Sequence, residues 1–291
     1  MDGVINVNKP KEMTSFDVVA ILRKILNTKK VGHTGTLDPD ATGVLPICIG
    51  KATKLVEYLT SDRKKYKAAV QLGITTDTQD ISGNVIKSCS PCVSENELKA
   101  AISSFIGEIE QIPPMYSAVK VGGKKLYELA REGRTVERKP RQITIHKIDF
   151  LVYNEKSSVF EMEVDCSKGT YIRTLANDIG EKLGCGAAIS ELERLSSGNF
   201  NISESYTLEE IKKKAEKEDY SFLIPLSEVM NEYGKIILAE KNSQRLQHGI
   251  PFSVAGLEIG ENYRIFDESG AFLAIARCGE NRMEILKTFF G

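Results

Sequence analysis

Strand-like and helix-like stretches that follow one another irregularly predict an α+β fold, a mixed or mostly antiparallel central sheet with flanking helices and a small β-rich module behind it. Three observations carry this expectation. Period-two runs and amphipathic helical runs alternate from Val4 to about Glu218 with long connections, unlike the even rhythm of a wound parallel sheet. After a connector bracketed by Pro225 and Gly234, short strands and turns dominate the rest of the chain. With 291 residues, one large domain or two unequal ones can each bury a core.

The elements follow in order. Val4, Ile5 and Val7 alternate with polar residues as a first strand. Thr14 or Ser15 caps a helix over 14–26, with Phe16, Val19, Ile21, Leu22 and Ile25 as its apolar face. Strands are expected at 44–49 and at 66–72, where Ala68, Val70 and Leu72 share the face of Tyr66. Ser94-Glu-Asn-Glu97 is a capping box that opens a helix through Ile106. Strands at 143–152 and 159–166 come next; the second puts Phe160, Met162, Val164 and Cys166 on one face and Glu161, Glu163 and Asp165 on the other. A helix runs from Tyr171 to about Leu183 and ends at Gly184, and a charged surface helix runs from Leu208 to about Glu218. The C-terminal strands are Ile236–Leu238, Tyr263–Phe266, Phe272–Ala276 and Met283–Leu286, a module short for independent stability unless docked on the main body.

Hydrophobic content of 41% and charge of 27% are those of an ordinary globular chain. Nothing approaches the ~18 consecutive apolar residues of a membrane span, and the N-terminus lacks a basic-then-apolar signal, so a cytoplasmic location is expected. The six cysteines are scattered. Cys89-Ser-Pro-Cys92 has metal-like spacing but no second pair or nearby histidine, which favours free thiols in a reducing compartment. Net charge is −1, yet Lys120 to Arg141 holds eight Lys or Arg against three Glu, and Arg63, Lys64, Lys65 and Lys67 flank Tyr66. Acids collect elsewhere, at Glu204, Glu209, Glu210, Glu216, Glu218 and Asp219. Such segregation fits a basic groove for a polyanion; it also fits a solvated loop and a mixed-charge helix.

The densest motif is Gly32 to Gly50, a glycine-rich loop that presents Asp38 before Pro39 and runs into an apolar strand. Gly32, Gly35 and Gly43 are expected to allow close backbone approach or positive φ. Pro39 biases Asp38 towards an extended backbone, where its carboxylate is a helix cap or a reactive group. A Walker A fails, because Gly50-Lys51 precedes Ala52. A calcium loop fails too, because its twelfth position is Ile49 and not a bidentate glutamate. Asp38-x-Asp40-x-Thr42 echoes an aspartyl phosphotransferase signature, but that signature ends a buried strand, and His33 to Leu37 is not one. Gly32-His-Thr-Gly35 matches the KH-domain GXXG, a pattern too short to discriminate.

Arg173 lies in the first turn of its helix, where the macrodipole disfavours a cation by ~0.3–1 kcal/mol. It is either a surface arginine or the partner of a buried carboxylate, whose pKa it would lower. Tyr66 reads as a core tyrosine or as a ring on which an extruded base stacks among cations, and Lys168 with Tyr171 repeats that pairing. His33 on these grounds alone is a loop histidine.

Together, Asn8-Lys9-Pro10, Gly32–Gly50, Pro113–Lys120, Gly123–Ala130, Cys166–Thr174 and Gly184-Cys185-Gly186 resemble the TruB family of tRNA pseudouridine synthases over roughly residues 3–230. The remainder is similar, far more weakly, to a PUA domain, an RNA-binding β-module. The resemblance implies a pseudouridine synthase domain over 1–228, with an RNA-binding insertion at about 107–141 whose basic 120–141 part is mobile without ligand, and a PUA-like domain over 233–291. It implies isomerisation of uridine 55 in the tRNA T-loop. Asp38 would be the nucleophile, Arg173 its partner, and Tyr66 the stacking ring and a candidate acceptor of the C5 proton. His33 would help hold the extruded nucleotide. Tyr171 and Leu192 fall at base-pocket positions, and Lys9 at a structural or phosphate-facing one. No metal or organic cofactor is implied, since nothing is oxidised or hydrolysed. The expected partner is the tRNA T-arm, met by a monomer without membrane or obligatory protein partner. A guide-RNA-dependent relative that needs partner proteins and an RNA chaperone with secondary catalysis are the alternatives; the intact Pro113–Gly133 segment favours the stand-alone enzyme.

Overall fold

The structure is a computed structural model that describes residues 1–60 and 63–290. Gly291, the last residue of the expected second domain, lies outside the described residues. The strands of the larger unit are β1 (Gly3–Lys9), β2 (Val31–His33), β3 (Thr42–Ile49), β4 (Arg63–Leu72), β5 (Ile74–Thr76), β6 (Val85–Ser88) and β7 (Gly107–Gln111). They continue with β8 (Lys120–Val121), β9 (Lys124–Lys125), β10 (Arg141–Asn154), β11 (Val159–Ser167), β12 (Ala187–Ser197) and β13 (Phe200–Asn201). Its helices are α1 (Ser15–Ile25), α2 (Val56–Leu59), α3 (Glu95–Ser103), α4 (Leu126–Arg131), α5 (Ile172–Lys182), α6 (Leu208–Ala215) and α7 (Leu226–Val229). The smaller unit holds β14 (Gly234–Leu238), α8 (Glu240–Gln247), β15 (Asn262–Asp267), β16 (Phe272–Cys278) and β17 (Met283–Thr288).

The central sheet runs β1-β3-β12-β4-β11-β10-β7, with β2 on β3 and β13 on β12. Its pairs are antiparallel except β12 against β3, so the sheet is mixed, as the irregular alternation predicts. The alternation of β4 buries Tyr66, Ala68, Val70 and Leu72 on one face, against Phe160, Met162 and Val164 of β11 and against Leu175 and Ile179 of α5. Capping boxes start α1 at Thr14 with Asp17 and α3 at Ser94 with Glu97, both where the sequence places them.

The sequence reading misses β12, the strand between β3 and β4. Register shifts at Ile189/Glu191 and Arg194/Ser196 break its period-two pattern, and its Glu, Leu and Arg residues favour helix. β7 is the edge strand of the sheet, so the segment standing off it begins after Gln111 and not at 107. Within that segment Leu126 and Leu129 are buried.

Four strands in the order β14-β15-β16-β17 form the second sheet. It shares a core with the larger unit, where Ile275 and Phe289 cluster with Val4, Val44, Cys48 and Leu55. Lys51 Nζ donates to the Phe289 carbonyl at 2.7 Å and Lys54 Nζ to that of Thr288 at 2.8 Å. The module is therefore docked, and removing it would bare apolar residues of the larger unit.

Candidate active site

Asp38 lies in the loop between β2 and β3. Ser15 Oγ accepts from the Leu37 amide at 2.9 Å, which pins the loop to the start of α1. Lys9 is wholly buried, and its ammonium donates to the carbonyls of Pro10, Met13 and Pro39 at 2.8, 2.6 and 3.0 Å. Burial pulls its pKa down to about 8 against the pull of Asp38 and Asp40. Of its two expected roles the geometry gives the structural one, since no phosphate reaches a buried ammonium so engaged.

The Asp38 carboxylate meets Arg173 as a fork. Nε lies 2.9 Å from Oδ2 and Nη2 lies 3.3 Å from Oδ1. Arg173 is buried, so the surface reading falls. Its remaining N–H groups donate to Thr78 O at 2.8 Å, Tyr116 O at 2.9 Å and Asp80 Oδ2 at 3.3 Å, which uses the whole guanidinium. Gln111 fixes the entry to α5 from both sides, accepting from the Tyr171 amide at 2.8 Å and donating to the Tyr171 carbonyl at 3.0 Å. Two carboxylates thus offset the unfavourable place of this cation at a helix N-terminus.

Asp80 is absent from the expected site. It sits in the turn between β5 and β6, where Thr78 and Ser82 hydroxyls donate to its Oδ1 at 2.8 and 2.6 Å. No recognised motif marks this turn; its density of Asp and Thr is the only signal the sequence offers.

Burial raises the pKa of Asp38, Arg173 pulls it back, and Asp80 pushes it further up. The expected net lowering is corrected accordingly: Arg173 acts in the foreseen direction, but the surrounding protein outweighs it. The side chain still keeps 42% of its surface open. It is a carboxylate that solutes can touch and that the protein does not favour charged.

Tyr66 faces the same site from β4, and burial raises its pKa while hydrogen bonding to Arg194 opposes the rise. Arg194, on β12, is a second residue that the sequence reading misses. It is 1% exposed and donates to the carbonyls of Val44, Gly35 and Thr36 at 2.7, 3.3 and 3.4 Å, so it braces both ends of the Asp38 loop. Gly43 makes that bracing possible. Its φ is 99°, and a Cβ there would collide with the Arg194 carbonyl and lie 2.8 Å from the Arg194 amide nitrogen. Gly32 and Gly35 have neither constraint, with no atom nearer than 3.8 Å to an added Cβ. Gly43→Ala is expected to cost about 1–3 kcal/mol; an unchanged melting temperature would refute the tight β3–β12 approach.

His33 ends β2, half-buried, with its Nδ1 unpartnered and its pKa lowered by burial and by Arg194.

Two sequence profiles match without a break, "TruB family pseudouridylate synthase (N terminal domain)" over residues 23–172 and "tRNA pseudouridylate synthase B C-terminal domain" over 173–231. The chain belongs to the TruB family of pseudouridylate synthases. This TruB-family chain is 43% identical to the tRNA pseudouridine synthase B of Clostridium kluyveri across 99% of its own length and 100% of the relative's. It is 50% identical to that of Clostridium tetani across 86% and 85%. A protein chain in a solved H/ACA RNP bound to a substrate RNA containing 2'-deoxyuridine superposes with a TM-score of 0.73 at 26% identity, covering 99% of this chain and 85% of that one. As a TruB-family member the protein is an isomerase.

Around the TruB-family site, Tyr171 caps α5 and is half-buried, and Leu192 on β12 packs against the main core. Lys168 is exposed in the turn before α5. The cations flanking Tyr66 divide by the pleat. Lys65 and Lys67 point to the opposite face, where Lys65 pairs with Glu163 and Lys67 with Glu161 at 2.9 Å; Arg63 pairs with Asp165 at 2.7 Å. Those three form a cross-strand charge ladder and not a phosphate cradle, whereas Lys64 is buried on the Tyr66 face beside Gly35.

Proposed function

We propose that the protein converts uridine to pseudouridine at position 55 in the T-loop of tRNA, acting alone on an extruded nucleotide with Asp38 as nucleophile. The observation that supports this most is the forked Asp38–Arg173 pair, which aims an open carboxylate into a site floored by a buried tyrosine. A stacked uridine cannot reach such a group, so the base must leave its stack at a cost of about a few kcal/mol. Tyr66 then offers its ring. Of its two expected roles stacking is the better supported, because burial keeps the phenol protonated and a poor base at neutral pH. The carboxylate attacks the uridine and the N1–ribose bond breaks; uracil turns, its C5 bonds to ribose as the bond to Asp38 breaks, and the C5 proton leaves to solvent while N1 takes one up. His33, Tyr171 and Leu192 border the base, and exposed Lys168 meets the backbone.

The relatives named tRNA pseudouridine synthase B support tRNA as substrate. The segment from Pro113 to Gly133, tied to the site through Tyr116, supports action without partner proteins. The docked β-module adds RNA contacts beyond the T-loop.

Purified protein incubated with C5-tritiated tRNA is expected to release tritium without guide RNA or added protein, and mapping is expected to find the new pseudouridine at position 55. Release that depends on a guide RNA, or conversion only at another nucleotide, would overturn the proposal.

A further inference from the structure

Phe16 stands apart from the helix face to which its spacing assigns it. α1 buries Ser15, Val18, Val19 and Leu22, whereas Phe16 is 70% exposed in the first turn. A lone exposed apolar side chain is ordinary. This one is distinguished by what holds it. Ser15, its neighbour, exchanges hydrogen bonds with the amide and carbonyl of Leu37, the residue before Asp38. The Phe16 ring meets His33 edge-on, with centroids 5.9 Å apart and planes at 84°. One edge of the ring is thereby fixed and most of its surface left open, on the rim of the loop that carries the carboxylate.

We infer that Phe16 is a stacking platform for a base of the RNA that flanks the nucleotide drawn to Asp38. The inference rests on the proposed RNA substrate. Extruding one nucleotide uncovers the π-face of its neighbours, and an aromatic ring fixed at the mouth of the site re-covers one of them. Stacking of this kind tolerates any base and strengthens binding. It leaves bond breaking at Asp38 untouched. The edge contact with His33 sets the plane of the ring, so substrate meets a surface already oriented.

The chain contains no tryptophan, so Phe16→Trp places a single indole at this position. The probe is a synthetic T-arm stem-loop, with conversion measured alongside fluorescence. Phe16→Trp is expected to lose emission as RNA saturates it and to keep a near-normal KM. Phe16→Leu and Phe16→Ala are expected to raise KM about tenfold, with the single-turnover rate at saturating RNA unchanged. Leucine keeps apolar bulk but no π-face, so it separates stacking from mere packing. An unchanged KM in both variants, or indole emission indifferent to RNA, would overturn the inference. A lower saturating rate at constant KM would also overturn it, since Phe16 would then act only by positioning His33. Quenching by the stem-loop without wild-type conversion would support the platform and sink the T-arm reading, which keeps the two failures distinct.

Discussion

Asp38→Asn is expected to bind tRNA as the wild type does and to lose turnover, with a single-turnover rate lower by on the order of 10⁴-fold or more. Asparagine keeps the shape of the carboxylate and still offers one oxygen to Arg173, so the loop braced by Ser15, Lys9 and Arg194 should hold its path. What disappears is the negative oxygen that attacks in the proposed mechanism. Rapid-quench measurement with saturating enzyme tests the rate, and filter binding tests affinity; wild-type turnover in the variant would refute Asp38 as nucleophile. Stability should move the other way. Folding raises the pKa of Asp38, so its contribution to stability is present below the unfolded pKa and lost as pH rises through the folded value. At neutral pH the ionised carboxylate therefore weakens the fold, and Asp38→Asn should melt at or above the wild-type temperature. A clear fall in the melting point would contradict that sign.

Arg173→Lys is the second large effect. Lysine replaces a planar fork by a point charge. Asp38 would keep at most one donor, and the carbonyls of Thr78 and Tyr116 would compete with it and Asp80 for one ammonium. Loss of orientation alone is expected to slow single turnover on the order of a hundredfold or more. The pH profile carries the sharper test. In the proposed mechanism activity needs ionised Asp38, whose pKa burial already raises and Arg173 holds back. Weakening that restraint must shift the acid limb of the rate profile to higher pH. An acid limb that stays in place, or shifts downward, would show that Arg173 does not govern the charge of Asp38.

How much of this was legible depended on whether local pattern and tertiary demand agreed. In β4 and β11 one face is buried throughout, so alternation predicts both strands and the placing of Tyr66. Arg173 was readable because a cation in a first helical turn calls for a partner, although the sequence left the partner open and said nothing of Asp80. Phe16 was misplaced because an apolar residue near a helix start counts towards the buried face until a neighbour such as His33 is known. Arg194 was hidden with its strand. Bulged at two points and rich in helix formers, β12 has no periodic signature, and the buried arginine it carries looks in sequence like any surface charge. The net rise of the Asp38 pKa depends on how much protein surrounds it, which no motif encodes.

The position of β12 has a consequence for how the molecule is made. β3 and β4 are close in sequence but do not touch as neighbours, because Ala187–Ser197 lies between them. On the ribosome β4 emerges before both of its sheet neighbours, β11 and β12. It must wait for β12 for more than a hundred further residues, on the order of ten seconds at ordinary elongation speeds. Until those strands arrive, β4 carries bare main-chain edges on both sides that other chains can pair with. Slow, non-local closure and a need for protection during synthesis are built into the same arrangement that braces the Asp38 loop.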